Sequence, residues 1–164
     1  MADIVDKATR SRMMSGIRSR NTRPEIKVRS ALHRAGFRFR LHVAGLPGKP
    51  DLVFPKHHAV IFVNGCFWHR HEGCRNASMP STNGDYWRDK FAVNVERDRR
   101  GTQLLFATGW RVAVVWECAV RKTGSRGDCS DDWRLADGAR SCARNSRTIG
   151  RCEIQLIATL LGQK

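Results

Sequence analysis

No apolar run in the 164-residue sequence approaches the ~20 residues that a membrane-spanning helix needs. The opening residues, MADIVDKATRSRMM, also lack the apolar stretch of an export signal. These two absences exclude a helical membrane-spanning class and predict a cytoplasmic protein with no membrane partner. In that compartment six cysteines read as metal ligands or unbridged thiols rather than as a disulfide framework. Acidic residues are scarce as well. There are 15 Asp+Glu against 30 Lys+Arg, a formal net charge of +15. Between Lys7 and Arg40 eleven basic residues accompany a single acid, Glu25. That stretch is too lopsided for a salt-bridged helix face and reads as a surface for a polyanion, nucleic acid ahead of anionic membrane. No internal repeat is visible, and the length suits one domain with a real core.

What is present begins with a helix predicted near residues 8–20. Met14 and Ile17 fall on one side of it, either as core packing or as an apolar contact with a nucleic acid. Thr22-Arg23-Pro24-Glu25 has the spacing of a capping box with proline in the first turn, and it opens a second helix. Ile26, Leu32 and Ala35 form the expected inward face of that helix, and Gly36 stops it. Glu25 is thereby explained as a cap. The alternation in Phe37–Val43 predicts a half-buried strand with basic residues on its open face. A turn over Leu46–Pro50, a short strand Asp51–Phe54, and a second turn over Pro55–His58 follow. The apolar run Ala59–Val63 then predicts a strand antiparallel to its predecessor.

Past a polar loop, a long helix is predicted from about Asp85 to Thr108, closed by Gly109. Trp87, Phe91, Asn94, Val95, Asp98, Thr102 and Leu105 share one side of it. An acid in the middle of that stripe is desolvated unless something pairs with it. Trp110–Trp116 forms the last clear strand. The order α, α, β, β, β, α, β makes the fold class α/β, a mixed sheet with helices packed on it. Beyond Arg121 the pattern fades. Cys129, Cys142 and Cys152 lack ligand-like spacing, and Ile154–Leu161 is a short apolar run that suits strand or helix.

The chemistry concentrates where the apolar run ends, in AVIFVNGCFWHRHEGC from Ala59 to Cys74. Cys66, His71 and Cys74 are compactly spaced, and Cys118 arrives at a strand end far along the chain. Three local ligands and one distant one is a common layout for a closed structural zinc site. His69 is then a spare imidazole able to act as acid or base near neutral pH, or a ligand in place of His71. Asp51, after Pro50 at a strand start, gains weight because the neighbouring strand delivers this cluster. Mg²⁺-dependent nucleases of the PD-(D/E)xK kind place a carboxylate in that way. The acid and lysine of that pattern are missing here, where Phe62 and Asn64 stand.

One family accounts for these pieces together. Asp6–Ser11, Leu46–Asp51, Val60–Phe62 with Gly65–His69, Asn94–Arg100, and Gly109–Val112 with Val115–Cys118 resemble the very-short-patch repair (Vsr) DNA mismatch endonucleases of bacteria. The resemblance covers residues 1–121 and makes residues 122–164 a C-terminal extension. It implies a restriction-endonuclease-like fold in a cytoplasmic, nucleoid-associated monomer. The implied partner is double-stranded DNA carrying a T·G mismatch, left when 5-methylcytosine deaminates and nicked 5′ of the mismatched T. The implied Mg²⁺ ligands are Asp51 and the backbone carbonyl of Val63, with Glu25 near the metal-bound water. His69 is the implied general acid or base, and Asp98 orients it. The resemblance makes Cys66, His71, Cys74 and Cys118 the ligands of a structural Zn²⁺. By the same resemblance Phe67, Trp68 and Trp87 are the implied wedge into the base stack, and Met14 and Ile17 match a helix entering the opposite groove. Asn64 departs from the best-known members, which carry a second histidine there. An amide can orient a phosphate but cannot transfer a proton at neutral pH. A non-catalytic zinc-containing DNA-binding module and a restriction nuclease cutting both strands are the rival readings.

Overall fold

The structure, a computed structural model, describes residues 6–16 and 20–121. Ile17 and the extension over 122–164 lie outside them, and so do Cys129, Cys142, Cys152 and Ile154–Leu161. Among the described residues no helix is long and apolar enough to cross a membrane.

Helix α1 spans Lys7–Ser15. Asp6 caps it, accepting from the Thr9 amide at 2.8 Å and the Thr9 hydroxyl at 2.9 Å. Met14 lies in this helix, but with Ile17 undescribed the expected pair has no structural counterpart to report. Helix α2, Arg23–Arg34, opens with the predicted capping box, and Pro24 sits in its first turn. Its buried face is Glu25, Val28, Ala31 and Leu32. Two expectations are corrected here: Ile26 is 53% exposed, and Ala35 is an exposed cap residue beyond the helix. Ile26 lies two residues from Val28, about 200° around the helix, so both cannot face inward.

Four strands form one mixed sheet in the order β1-β2-β3-β4. They are β1 (Arg40–Leu41), β2 (Leu52–Phe54), β3 (Ala59–Asn64) and β4 (Arg111–Trp116). β1–β2 and β2–β3 are antiparallel; β3–β4 is parallel, running from Ala59↔Arg111 to Asn64↔Trp116. A parallel pair needs a crossover, which helix α3 (Gly84–Ala107) supplies. Short helix α4, Glu117–Arg121, follows β4 directly.

Side-chain alternation divides the core. Leu52, Phe54, Ala59, Ile61, Ala113 and Val115 pack with Val28 and Leu32 of α2 and Val120 of α4. Val53, Val60 and Val112 pack with Leu105 of α3. Both sheet faces are covered, which is why β3 reads as a continuous apolar run.

The predicted strand over Phe37–Val43 shrinks to two exposed residues. Phe37 is buried, but it and Phe39 are spent on aromatic contacts with Phe54, at 6.4 and 5.6 Å between centroids. His42 then takes a left-handed φ of 49° that ends the extended run.

The long helix has its predicted extent, and Gly109 follows it at φ 77°. Trp87, Asn94, Asp98 and Thr102 are half-buried along the stripe, with Phe91 and Leu105 buried. Val95 does not belong to it, being 43% exposed. Buried Gly101 does. A Cβ there would stand 2.9 Å from the Cα of Gly48, itself at φ 70°. Backbone therefore meets backbone, seating the turn before Asp51 directly on α3.

Candidate active site and metal centre

The adjacent carboxyl ends of parallel strands β3 and β4 place Asn64 beside Trp116. Beyond Asn64, which is half-buried, the chain folds back on itself. The His69 amide donates to the Gly65 carbonyl at 3.1 Å, the His71 amide to the Cys66 carbonyl at 3.1 Å, and the Cys74 amide to the His71 carbonyl at 3.2 Å. Arg70 adopts φ 51°. That left-handed residue lies between two histidines that take different partners.

His71 goes to the cysteines. The ligand atoms of Cys66, His71, Cys74 and Cys118 all lie within 4.8 Å of one another, and the four residues are buried. His71 Nδ1 stands 3.7 Å from Cys66 Sγ and 3.4 Å from Cys118 Sγ, its ring stacked on Trp116 at 4.2 Å. Hydrogen bonding to Cys118 pulls the Cys66 thiol down to about 5 against burial, with help from His71 and Cys74. Three sulfurs and one imidazole at this separation suit a tetrahedral metal ion, and a depressed thiol suits the thiolate form that binds one. His71, rather than His69, completes the set.

His69 goes to α3. Its Nδ1 makes a short hydrogen bond with Asp98 Oδ2, and both side chains are partly exposed. Burial pushes the Asp98 carboxyl up, but the hydrogen bond and charge of His69, with Arg97 adding to them, leave it below its ordinary value. One turn earlier Asn94 donates to the carbonyl of Trp68 at 3.3 Å. Successive turns of α3 thus grip successive residues of the loop.

Asp51 hangs from the same strand end. Its amide donates to the Ile61 carbonyl at 3.1 Å, and the Val63 amide donates to its Oδ2 at 2.7 Å. Burial raises the Asp51 carboxyl, the Val63 amide opposes that, the charge of Glu25 raises it further, and Arg29 and His42 oppose; the net shift is upward. Glu25 is 3% exposed. It accepts from the Thr22 hydroxyl at 2.8 Å, the Asn21 amide at 3.0 Å and Arg29 at 2.7 Å. Two carboxylates close enough to perturb one another are an oxygen-rich arrangement that fits a hard divalent cation.

The aromatics form one cluster. Phe67 meets Trp68, Trp87 and Phe91 edge-on at 5.1, 5.5 and 5.1 Å, and Trp68 lies 6.0 Å from Trp87. Phe67, Trp68 and Trp87 are all half-buried, with surface left to offer.

A family model described as DNA mismatch endonuclease Vsr matches residues 2–75. A type II nicking enzyme of Xanthomonas oryzae pv. oryzae is 50% identical over 125 residues, covering 76% of this chain and 91% of that protein. The DNA mismatch endonuclease Vsr of Escherichia coli is 43% identical over 144 residues, covering 85% and 92%. A type II nicking enzyme of Neisseria meningitidis is 40% identical over 121 residues, covering 74% and 86%.

The chain belongs to the Vsr family of DNA mismatch endonucleases.

Within this Vsr-family chain the structure gathers Asp51, Val63, Asn64, His69, Asp98 and the four-residue Cys/His cluster around one strand end. Glu25 joins them through Asp51. Sequence reasoning missed four residues of the same neighbourhood. Arg29 is one helical turn past Glu25, and its Nε is buried without a hydrogen-bond partner. Asn94, placed on the helix stripe but given no role, is one turn before Asp98; a spacing of four could have flagged both pairs. Arg70 lies 4.6 Å over the Phe91 ring. Tyr86, 58% exposed, stands edge-on to Trp87 at 5.5 Å and extends the aromatic cluster.

Proposed function

We propose that this protein nicks duplex DNA 5′ of the T in a T·G mismatch left by deamination of 5-methylcytosine, initiating very-short-patch repair. One observation carries the reading. The Val63 amide near the end of β3 holds the carboxylate of Asp51, which precedes β2, and the loop that leaves β3 carries the imidazole His69, fixed by Asp98. Family membership supports a DNA-cleaving enzyme acting on mismatches.

Asp51 and the Val63 carbonyl would hold Mg²⁺, which when bound neutralises charge developing on the scissile phosphate. With Nδ1 committed to Asp98, His69 presents Nε2 to take a proton from the attacking water. Asp98 fixes the tautomer and stabilises the charged ring that results. Glu25 accepts a hydrogen bond from water near Asp51, and Asn64 orients the phosphate through its amide. Phe67, Trp68 and Trp87 enter the base stack; the unstacking costs a few kcal/mol, least where pairing is already poor, which favours a mismatch. Met14 and Ile17 approach from the other groove.

Cys66, His71, Cys74 and Cys118 would hold Zn²⁺ as a closed structural site, since thiolate-rich sets favour zinc over magnesium. A mixed sheet with helices on both faces is consistent with a restriction-endonuclease-like core over residues 1–121, bearing an extension over 122–164. The protein works as a monomer on DNA in the cytoplasm, at the nucleoid.

Incubation with Mg²⁺ and a T·G duplex labelled on each strand tests the proposal. A nick in the T strand alone, lost in Asp51→Ala, is expected. Tight binding without cleavage would make the protein a binding module, and cutting both strands of the paired sequence would make it a restriction nuclease.

A further inference from the structure

Edge strand β1 and the residues that flank it bear charge that the proposed site does not use. Arg38 and Arg40 are exposed and two residues apart, the spacing that puts side chains on one side of an extended chain. Among the described residues no carboxylate pairs with either; Arg38 reaches the Phe37 carbonyl at 3.2 Å. β1 lies at the margin of the sheet, pairing with β2 through Arg40↔Val53 and Leu41↔Leu52. One step further, that register sets His42 opposite Asp51. His42 is exposed, turns the chain at φ 49°, and lies close enough for its charge to act on the Asp51 carboxyl. Two arginines therefore lie along the edge of the sheet, and at the turn that follows His42 brings a third basic group near the carboxylate that would hold the metal.

We propose that Arg38, Arg40 and His42 form a phosphate track that seats the sugar–phosphate backbone of the strand to be nicked and leads it to Asp51. This inference rests on the DNA-nicking reading and assigns its backbone contacts. The side-chain chemistry suits phosphate: arginine forks donate to two oxygens at once, and imidazole N–H donates one bond from the end nearest the scissile group. The aromatic cluster reads the defect in base pairing, whereas the track is indifferent to sequence and sets register.

The salt dependence of binding tests the track. Each phosphate contact made by a cation releases a counterion and steepens the fall of log K with log salt by about 0.9. Binding of a T·G duplex is measured without added Mg²⁺ and without chelator between low and moderate salt, so that no cleavage intervenes and the Cys/His site is left intact. Arg40→Gln is expected to flatten the slope by about 0.9, and Arg38→Gln with Arg40→Gln by about 1.8. Arg40→Lys restores most of it. Lys56→Gln, an exposed charge in the turn between β2 and β3, leaves it unchanged. His42→Ala slows single-turnover nicking about 10²-fold with binding retained, the low end of what a single transition-state donor supplies. An unchanged slope in Arg40→Gln, or an equal change in Lys56→Gln, would overturn the track. Absence of nicking by the unaltered protein would overturn the enzymatic reading, while the slopes would still report whether DNA follows β1.

Discussion

Asp98, in the middle of α3, is hydrogen-bonded to Nδ1 of His69, while His71, two residues along, faces the cysteines. One imidazole is committed to a carboxylate and the other to sulfur. Replacing Asp98 by asparagine keeps the size of the partner and removes its charge. Single-turnover nicking of a T·G duplex is expected to fall about 10²–10³-fold in Asp98→Asn, with duplex affinity changed little. Equal losses in rate and affinity would point to a misfolded loop instead.

The same pair predicts an acid dependence. The Asp98 carboxyl in the folded protein lies below its ordinary value of 3.8. Its ionised form therefore stabilises the fold at pH above about 4, and that contribution disappears as pH falls through the lower folded value. Denaturant unfolding should show wild type more stable than Asp98→Asn from pH 7 to 5, with the gap closing below pH 4. A gap that widens on acidification would reverse the assignment.

Asp51 behaves oppositely. It is a partly buried carboxylate within reach of Glu25's charge, so the ionised group is retained at a cost to the fold. Asp51→Asn keeps an oxygen for the Val63 amide. It should abolish Mg²⁺-dependent nicking while leaving the thermal midpoint measured without Mg²⁺ equal to or above that of wild type. A large drop in the midpoint would make Asp51 a structural residue.

For the four-residue cluster, the prediction is one zinc per chain by elemental analysis. Removal by a strong chelator, or Cys118→Ser, should lower the thermal midpoint by about 10 °C or more, because a closed site contributes folding energy. Retention of both fold and nicking after complete metal removal would refute a structural zinc.

The aromatic cluster should govern discrimination. Trp68→Ala is expected to reduce the preference for T·G over fully paired duplex about 10- to 100-fold, the worth of one base–aromatic stack, in competition binding. Uniform weakening on both duplexes would place Trp68 outside the base stack.

Strong local signals were legible in the sequence. The Thr22–Glu25 capping box, the apolar run of β3 and the period of α3 each read correctly because local chemistry and tertiary context agree. The alternation in Phe37–Val43 misled because two of its aromatics pack on Phe54 rather than line a ladder, and a left-handed His42 cuts the strand short. Val95 was misplaced and Gly101 overlooked for one reason. A hydropathy stripe rewards bulk, whereas this face of α3 must admit the backbone of Gly48. The cysteine–histidine set was readable from spacing, with His71 ahead of His69 as its ligand, and the left-handed turn at Arg70 is what lets the two rings take different partners. Glu25 read as a cap, and its closeness to Asp51 is long-range, so no local pattern carries it.

Nicking of a T·G duplex by His69→Ala, followed under single-turnover conditions in Mg²⁺, tests the central claim most directly. If His69 moves the proton and His71 holds the structural metal, the variant binds the mismatch, keeps its zinc and fails to nick the T strand. A variant that nicks at the wild-type rate, or one that loses zinc, would contradict that division of labour.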